Sequence, residues 1–317
     1  MNRRDFARSL ATAGLANVPA LRFNTPTVQE ISPFLTSPQI DGPTPYVIDA
    51  ADLQRLMEPG QATIGILDVS PLRTYRGTHI PGAIHAFWED TVDREYPHFG
   101  AVVTQGDNQR QRIEFVRGLG LEPGMTVVAY DNQSGYRSAR IVWYLRFLGF
   151  ERVSMLDGGL SAWQEAGHSG QAGVNSAETT HVASVVPQEG YYVVTQQLLD
   201  RIESRSPLTV DTRTEDEHDD DLDGALPVGT IPGSIQFPWS GMIDASTNRL
   251  QDADQLRPEL EQAGLTLDRE IVLFARFGVD AALPWLVLKH LGYSSVVTYD
   301  RGWVEWASRP DLQRATI

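Results

Sequence analysis

Short apolar runs alternate along this chain with stretches in which apolar residues return every three or four positions. The first pattern is that of strands buried on both faces, the second that of helices with one face on a core. In the first half this predicts a helix over Ala50–Met57, a buried strand over Gly65–Val69 and a helix over Arg112–Leu119. A central strand follows at Thr126–Tyr130, then a helix at Arg137–Leu148 with Ile141, Tyr144, Leu145 and Leu148 on one face, then a strand at Val153–Leu156. The second half repeats the order. Helices are expected at Thr195–Glu203, Ala253–Ala263 and Ala281–Leu291, interleaved with strands at Leu208–Asp211, Ile271–Phe274 and Ser295–Tyr299. Strands alternating with helices predict an α/β fold with a mostly parallel sheet. The two sets recur about 150 residues apart, a domain-sized period rather than that of a solenoid.

The punctuation between these elements divides the chain. Residues 46–167 and 191–317 form the two repeats, and the polar, small-residue stretch 168–190 reads as the linker between them. Ahead of both, residues 24–45 are rich in Pro, Ser and Thr and read as a tether. Residues 1–23 carry Arg3-Arg4-Asp5-Phe6 and then a weakly apolar stretch ending in small residues, which resembles a twin-arginine export signal. Export to the periplasm is the expectation.

The 317 residues are 41% hydrophobic and 21% charged, with a formal net charge of −15 and no cysteine. That charge argues against nucleic acid or an anionic membrane as a partner, because a phosphate backbone needs a basic face. No apolar run is long enough to cross a bilayer. An anionic ligand would be repelled at long range, so any anion site must rely on local arginines or backbone donors. The absence of cysteine has a general reading, avoidance of free thiols in an exported protein, and a specific one, loss of a nucleophile. The motifs decide between them.

In the first repeat these motifs are Ile66-Leu67-Asp68, then Tyr75 followed by His79-Ile80-Pro81-Gly82-Ala83, then the loop from Asp131 towards Arg140, then Asp157-Gly158-Gly159 ahead of Trp163. In the second they are Asp211-Thr212-Arg213, Gly229-Thr230-Ile231-Pro232-Gly233-Ser234, Ala275-Arg276-Phe277-Gly278-Val279-Asp280, and Asp300-Arg301-Gly302-Trp303 ahead of Trp306. Both repeats resemble the rhodanese domain, and the pair resembles the tandem thiosulfate and 3-mercaptopyruvate sulfurtransferases. The resemblance implies two rhodanese-like α/β domains. It also implies sulfane-sulfur transfer through a cysteine persulfide, held in a cradle of backbone N–H groups between central strand and helix in the C-terminal copy.

Ala275 stands at that cysteine's position, and an alanine methyl has no lone pair. The resemblance further gives Arg213 as the arginine that meets a substrate carboxylate or sulfonate at the domain cleft. Arg276 follows the nucleophile position as in the thiosulfate-type loop, and Gly278 and Val279 keep its turn. Two departures count against binding: Phe277 replaces a residue that is often basic, and Asp280 replaces a Thr or Ser at the helix start, where a carboxylate competes with an anion for the same donors. Asp131 occupies the corresponding place in the non-catalytic first copy and is expected to cap its helix. His79 is expected to be a structural turn residue, and Trp163, Trp303 and Trp306 core residues. Asp216, Glu217, His218, Asp219, Asp220, Asp221 and Asp223 make an acidic run. It reads as a solvated loop, with calcium considered because its oxygens suit that ion but without EF-hand spacing.

The expectation is therefore an exported rhodanese-like protein whose persulfide chemistry is absent or impaired. Two alternatives stand beside it: a non-catalytic anion-binding or protein-interaction module, and an active sulfurtransferase working through another nucleophile. No cofactor and no metal are expected. The expected partner is a small sulfur-containing anion or a protein, and the expected state is a monomer.

Overall fold

The computed structural model describes residues 44–61, 63–92, 109–204, 207–219 and 227–316. The expected export signal, nearly all of the tether, and Asp220, Asp221 and Asp223 lie outside these residues. In the first domain the strands are β1 (Val47–Ile48), β2 (Ile64–Asp68), β3 (Ile84–His85), β4 (Thr126–Tyr130) and β5 (Val153–Leu156). In the second they are β6 (Tyr192–Val193), β7 (Leu208–Asp211), β8 (Ile235–Gln236), a small antiparallel hairpin of β9 (Ile243–Asp244) and β10 (Arg249–Leu250), β11 (Ile271–Phe274) and β12 (Val296–Tyr299). The two main sheets are parallel, five-stranded and identical in order: β1-β5-β4-β2-β3 and β6-β12-β11-β7-β8.

The helices are α1 (Ala50–Leu56), α2 (Leu72–Gly77), α3 (Gln109–Gly118), α4 (Tyr136–Phe147) and α5 (Gly159–Glu165), then α6 (Thr195–Ser204), α7 (Glu215–Asp219), α8 (Ala253–Gln262), α9 (Ala282–His290) and α10 (Gly302–Ser308). Central strands β4 and β11 are almost wholly apolar, Thr126 excepted, because helices cover both sheet faces, and every residue in them is buried. Ligands of such sheets collect at the carboxyl ends of the strands. The loops after β4 and β11 lie there.

Three differences from the sequence expectations have physical reasons. The helix at Arg137–Leu148 is not amphipathic in practice: Ser138 through Leu145 are all buried. One side of α4 meets its own sheet and the other meets α9 of the second domain, where Trp143 and Trp285 touch edge to face with centroids 6.4 Å apart. The helix expected from Ala281 starts as a 3-10 turn at Gly278–Ala281 and becomes α9 only at Ala282. The part of the acidic run that is described is a helix, not a loop. Thr214 and Glu217 cap it: the Glu217 carboxylate accepts the Thr214 N–H at 2.7 Å, and the Thr214 hydroxyl accepts the Glu217 N–H at 3.4 Å. That cap turns the chain into α7 and buries His218.

The interdomain stretch is held to the first domain. Gln171 exchanges two backbone hydrogen bonds with His79, and Asn175 donates to the Ala83 carbonyl. His79 is itself wholly buried, stacked on Tyr75 at 4.2 Å and bonded through Nδ1 to the Tyr75 carbonyl at 2.8 Å, which makes it a fastener of this turn. Trp163, Trp303 and Trp306 are core residues.

Candidate functional site

The first-domain loop shows what this backbone turn does with a carboxylate. Asp131 lies at the carboxyl end of β4. Its Oδ1 accepts the N–H groups of Gln133 at 2.7 Å and Gly135 at 3.1 Å, and its Oδ2 accepts that of Ser138 at 2.8 Å. Burial pushes the Asp131 carboxyl up from its ordinary pKa while these donors pull it back down. The second domain closes over this loop. Ser134 Oγ donates to Asn248 Oδ1 at 2.5 Å, the Leu250 N–H to Asp157 Oδ1 at 2.9 Å, and Arg249 pairs with Glu165 at 2.7 Å.

At the carboxyl end of β11 the equivalent position is Ala275, 2% exposed. The loop backbone rests on the turn after β12: the Ala275 carbonyl accepts the Trp303 N–H at 2.9 Å and the Arg276 carbonyl that of Val304 at 3.1 Å. Two glycines permit this contact. A Cβ on Gly302, which sits at φ +61°, would fall 2.8 Å from the Ala275 oxygen, and one on Gly278 would fall 1.4 Å from the Asp300 oxygen. The Gly-Trp pair of the second repeat is thus a packing requirement of the site loop.

Asp280, 7% exposed, folds back along the loop and accepts the Phe277 N–H at 3.2 Å. Phe277 lies two residues past Ala275, as Gln133 lies two past Asp131, so Asp280 takes from within the loop one of the donors that Asp131 holds in the first domain. The other contact to Asp280 comes across the domain boundary, where the Tyr136 hydroxyl at the start of α4 donates to Oδ1. Burial raises the Asp280 carboxyl to about 6. Glu217 nearby pushes the same way, and the Tyr136, Phe277 and Arg276 contacts oppose it. Burial likewise pushes the Tyr136 phenol up, with Asp280 and Glu217 adding to it.

Arg276 lies near Asp280 and reaches α7, its Nη2 donating to the Glu217 carbonyl at 2.9 Å. Trp239 Nε1 donates to the Glu217 carboxylate at 3.3 Å, and the Trp239 and Tyr136 rings are 5.8 Å apart. Arg140 lies beneath, buried, donating to Thr91 Oγ1 at 2.9 Å and to the Thr91 carbonyl at 3.0 Å; desolvation lowers its pKa to about 10 against the pull of Asp300 and Asp280.

Ala275, Arg276, Phe277, Gly278, Val279 and Asp280 are therefore together, as one loop. Arg213 is not with them. Expected at the cleft, it is instead 1% exposed, gripping Asp211 through Nε at 3.0 Å and Nη2 at 2.6 Å, donating to the Gly229 carbonyl at 2.7 Å and lying 4.8 Å over the Trp303 ring. All of its directed chemistry is spent inside the second domain. Beside the loop stand instead Tyr136 and Trp239, which no motif marks, and Glu217, expected only as part of a solvated acidic run.

The site contains carboxylates, a phenol and an arginine, but no thiol. Ser134 belongs to the other loop, and its hydroxyl donates a hydrogen bond to Asn248 Oδ1. Among the described residues no group of three or more His, Asp or Glu side chains is arranged to hold a metal ion.

The rhodanese-like domain family model matches residues 49–166 and 194–309. The thiosulfate sulfurtransferase of Azotobacter vinelandii is 30% identical over 276 residues, covering 84% of this chain and 96% of its own. The thiosulfate/3-mercaptopyruvate sulfurtransferase 2 of Arabidopsis thaliana is 29% identical over 292 residues, covering 80% and 82%. Among solved structures, the 3-mercaptopyruvate sulfotransferase SseA of Escherichia coli superposes with a TM-score of 0.71 at 24% identity over 82% of this chain and 99% of that one, a likeness of fold.

Proposed function

Since this chain belongs to the rhodanese-like family through both of its domains, we propose that it is an exported binding protein for small oxyanions or carboxylates that has given up persulfide transfer. The observation that carries the reading is the contrast between the two loops. In the first domain a carboxylate already sits among the backbone donors, contributed by Asp131. In the second, Ala275 brings no side-chain oxygen to the corresponding point, and the one loop donor held by a carboxylate, the Phe277 N–H, is held by Asp280 from further along the loop, which leaves the strand-end position to an oxygen from outside. Without a thiol the bound sulfur compound has no covalent step to enter.

Binding is expected to be weak. The protein carries a net charge of −15, and Asp280 already engages one loop donor. A millimolar Kd, about −4 kcal/mol, is the expected scale for thiosulfate or sulfate. Ala275→Asp is the incisive variant: it supplies the second loop with the internal carboxylate of the first and should abolish binding measured by titration calorimetry at fixed ionic strength. Equal heats from wild type and Ala275→Asp would place any anion elsewhere.

Export is tested separately. A reporter fused after residue 45 should reach the periplasm, and changing Arg3 and Arg4 together to Lys should hold it in the cytoplasm. Retention of the intact fusion, or export that ignores the pair, would overturn the assignment.

A further inference from the structure

The two loops also differ in what a proton can do to them. Asp131 holds three backbone donors and is built into its loop at the strand end. Asp280 holds one, from the start of the following helix, and its remaining bond is to a side chain of the other domain. We infer that Asp280 is a plug released by protonation: ionised, it keeps the Phe277 N–H from an anion in the second loop, and protonated, it yields that donor. Anion binding at this loop then takes up a proton. This rests on the reading of the loop as an anion site and adds its regulation.

The surroundings set the direction. Facing Asp280 are Arg276 from its own loop, Glu217 from α7, and Tyr136 with Arg140 behind it from α4 of the first domain. Arg137 acts on Tyr136, and Asp300 in the turn after β12 acts on Arg140. Burial is the largest influence on Asp280 and favours its neutral form, Glu217 reinforces this, and Tyr136, the Phe277 N–H and Arg276 resist it. An arriving anion adds a further negative charge beside the carboxylate and favours the neutral form more strongly. Binding and protonation therefore assist each other by the same factor in either direction. The free carboxyl titrates near 6, so affinity should be flat below that pH and should fall as pH rises above it.

Sulfate is the suitable probe because it does not titrate in this range. Calorimetry from pH 5.5 to 7.5 should show wild-type affinity falling by about tenfold per pH unit once Asp280 ionises, as one coupled proton requires. Titrations at pH 7 in two buffers of different ionisation enthalpy should report a proton taken up per sulfate, a measurement that needs no variant. Asp280→Asn should bind as tightly as the wild type does at low pH, with no pH dependence and no proton uptake, its fold checked by near-ultraviolet circular dichroism. Tyr136→Phe, which deprives the ionised carboxylate of its phenolic donor, should move the fall to higher pH.

A wild type that binds sulfate without pH dependence or proton uptake overturns the plug and leaves the anion site standing, as does an Asp280→Asn protein that keeps the wild-type slope. Failure of both proteins to bind sulfate at any pH overturns the anion site itself.

Discussion

Thiosulfate and cyanide mixed with the purified protein should yield thiocyanate no faster than buffer does, and intact-mass spectra taken after thiosulfate should show no added sulfur. The persulfide route needs a thiolate to attack and then carry the sulfane sulfur, and this chain has no cysteine. Enzymes commonly accelerate reactions by about a million-fold or more over solution, so losing the one covalent carrier removes nearly all of that. Ala275→Cys restores a sulfur atom to the point where Asp131 sits in the other domain. The loop donors should favour its thiolate, but the buried Asp280 carboxylate a few residues away opposes a second negative charge. Ala275→Cys alone should therefore turn over slowly, and Ala275→Cys with Asp280→Asn distinctly faster. Saturable thiocyanate formation by the wild type would mean that another nucleophile operates and would defeat the proposed function.

The architecture is legible because the central strands Thr126–Tyr130 and Ile271–Phe274 are apolar but for Thr126, a pattern that parallel sheets covered on both faces require. The paired motifs made the site loop legible for the same local reason. What escaped was whatever depends on how the two domains meet. Nothing around Tyr136 announces that the start of α4 points at the other domain's loop, and the periodicity of Arg137–Leu148 cannot show that α9 covers the helix's far side. Glu217 does carry a local signal, since Thr214 three residues ahead of it makes a capping-box pattern, but the acidic composition of the run hides it. The place of Arg213 also has a local rule. Residues two apart in an extended chain share a face, so Asp211 and Arg213 could be expected to pair where β7 ends.

Breaking this buried pair should have a large effect on stability. Arg213 and Asp211 form an ion pair at 2.6 Å with side chains 1% and 0% exposed. Arg213→Met keeps most of the stem's apolar volume over Trp303 but leaves the Asp211 carboxylate with the Thr230 hydroxyl at 2.7 Å, the backbone N–H of residue 213 at 3.2 Å, and His218 Nε2 at 3.6 Å. Stranding one member of a buried pair costs about 3–5 kcal/mol, a large share of the roughly 5–15 kcal/mol that a domain has. The fall should appear in urea unfolding of the variant. Arg213→Lys should not rescue it, because one ammonium cannot span both Asp211 oxygens and the Gly229 carbonyl as the guanidinium does. Arg213→Met combined with Asp211→Asn should recover part of the loss, since the uncompensated charge is then gone. A ligand-binding arginine would behave the other way round. Were Arg213→Met to unfold within about 1 kcal/mol of the wild type and lose sulfate binding, the side chain would have to leave Asp211 in solution and reach the cleft after all.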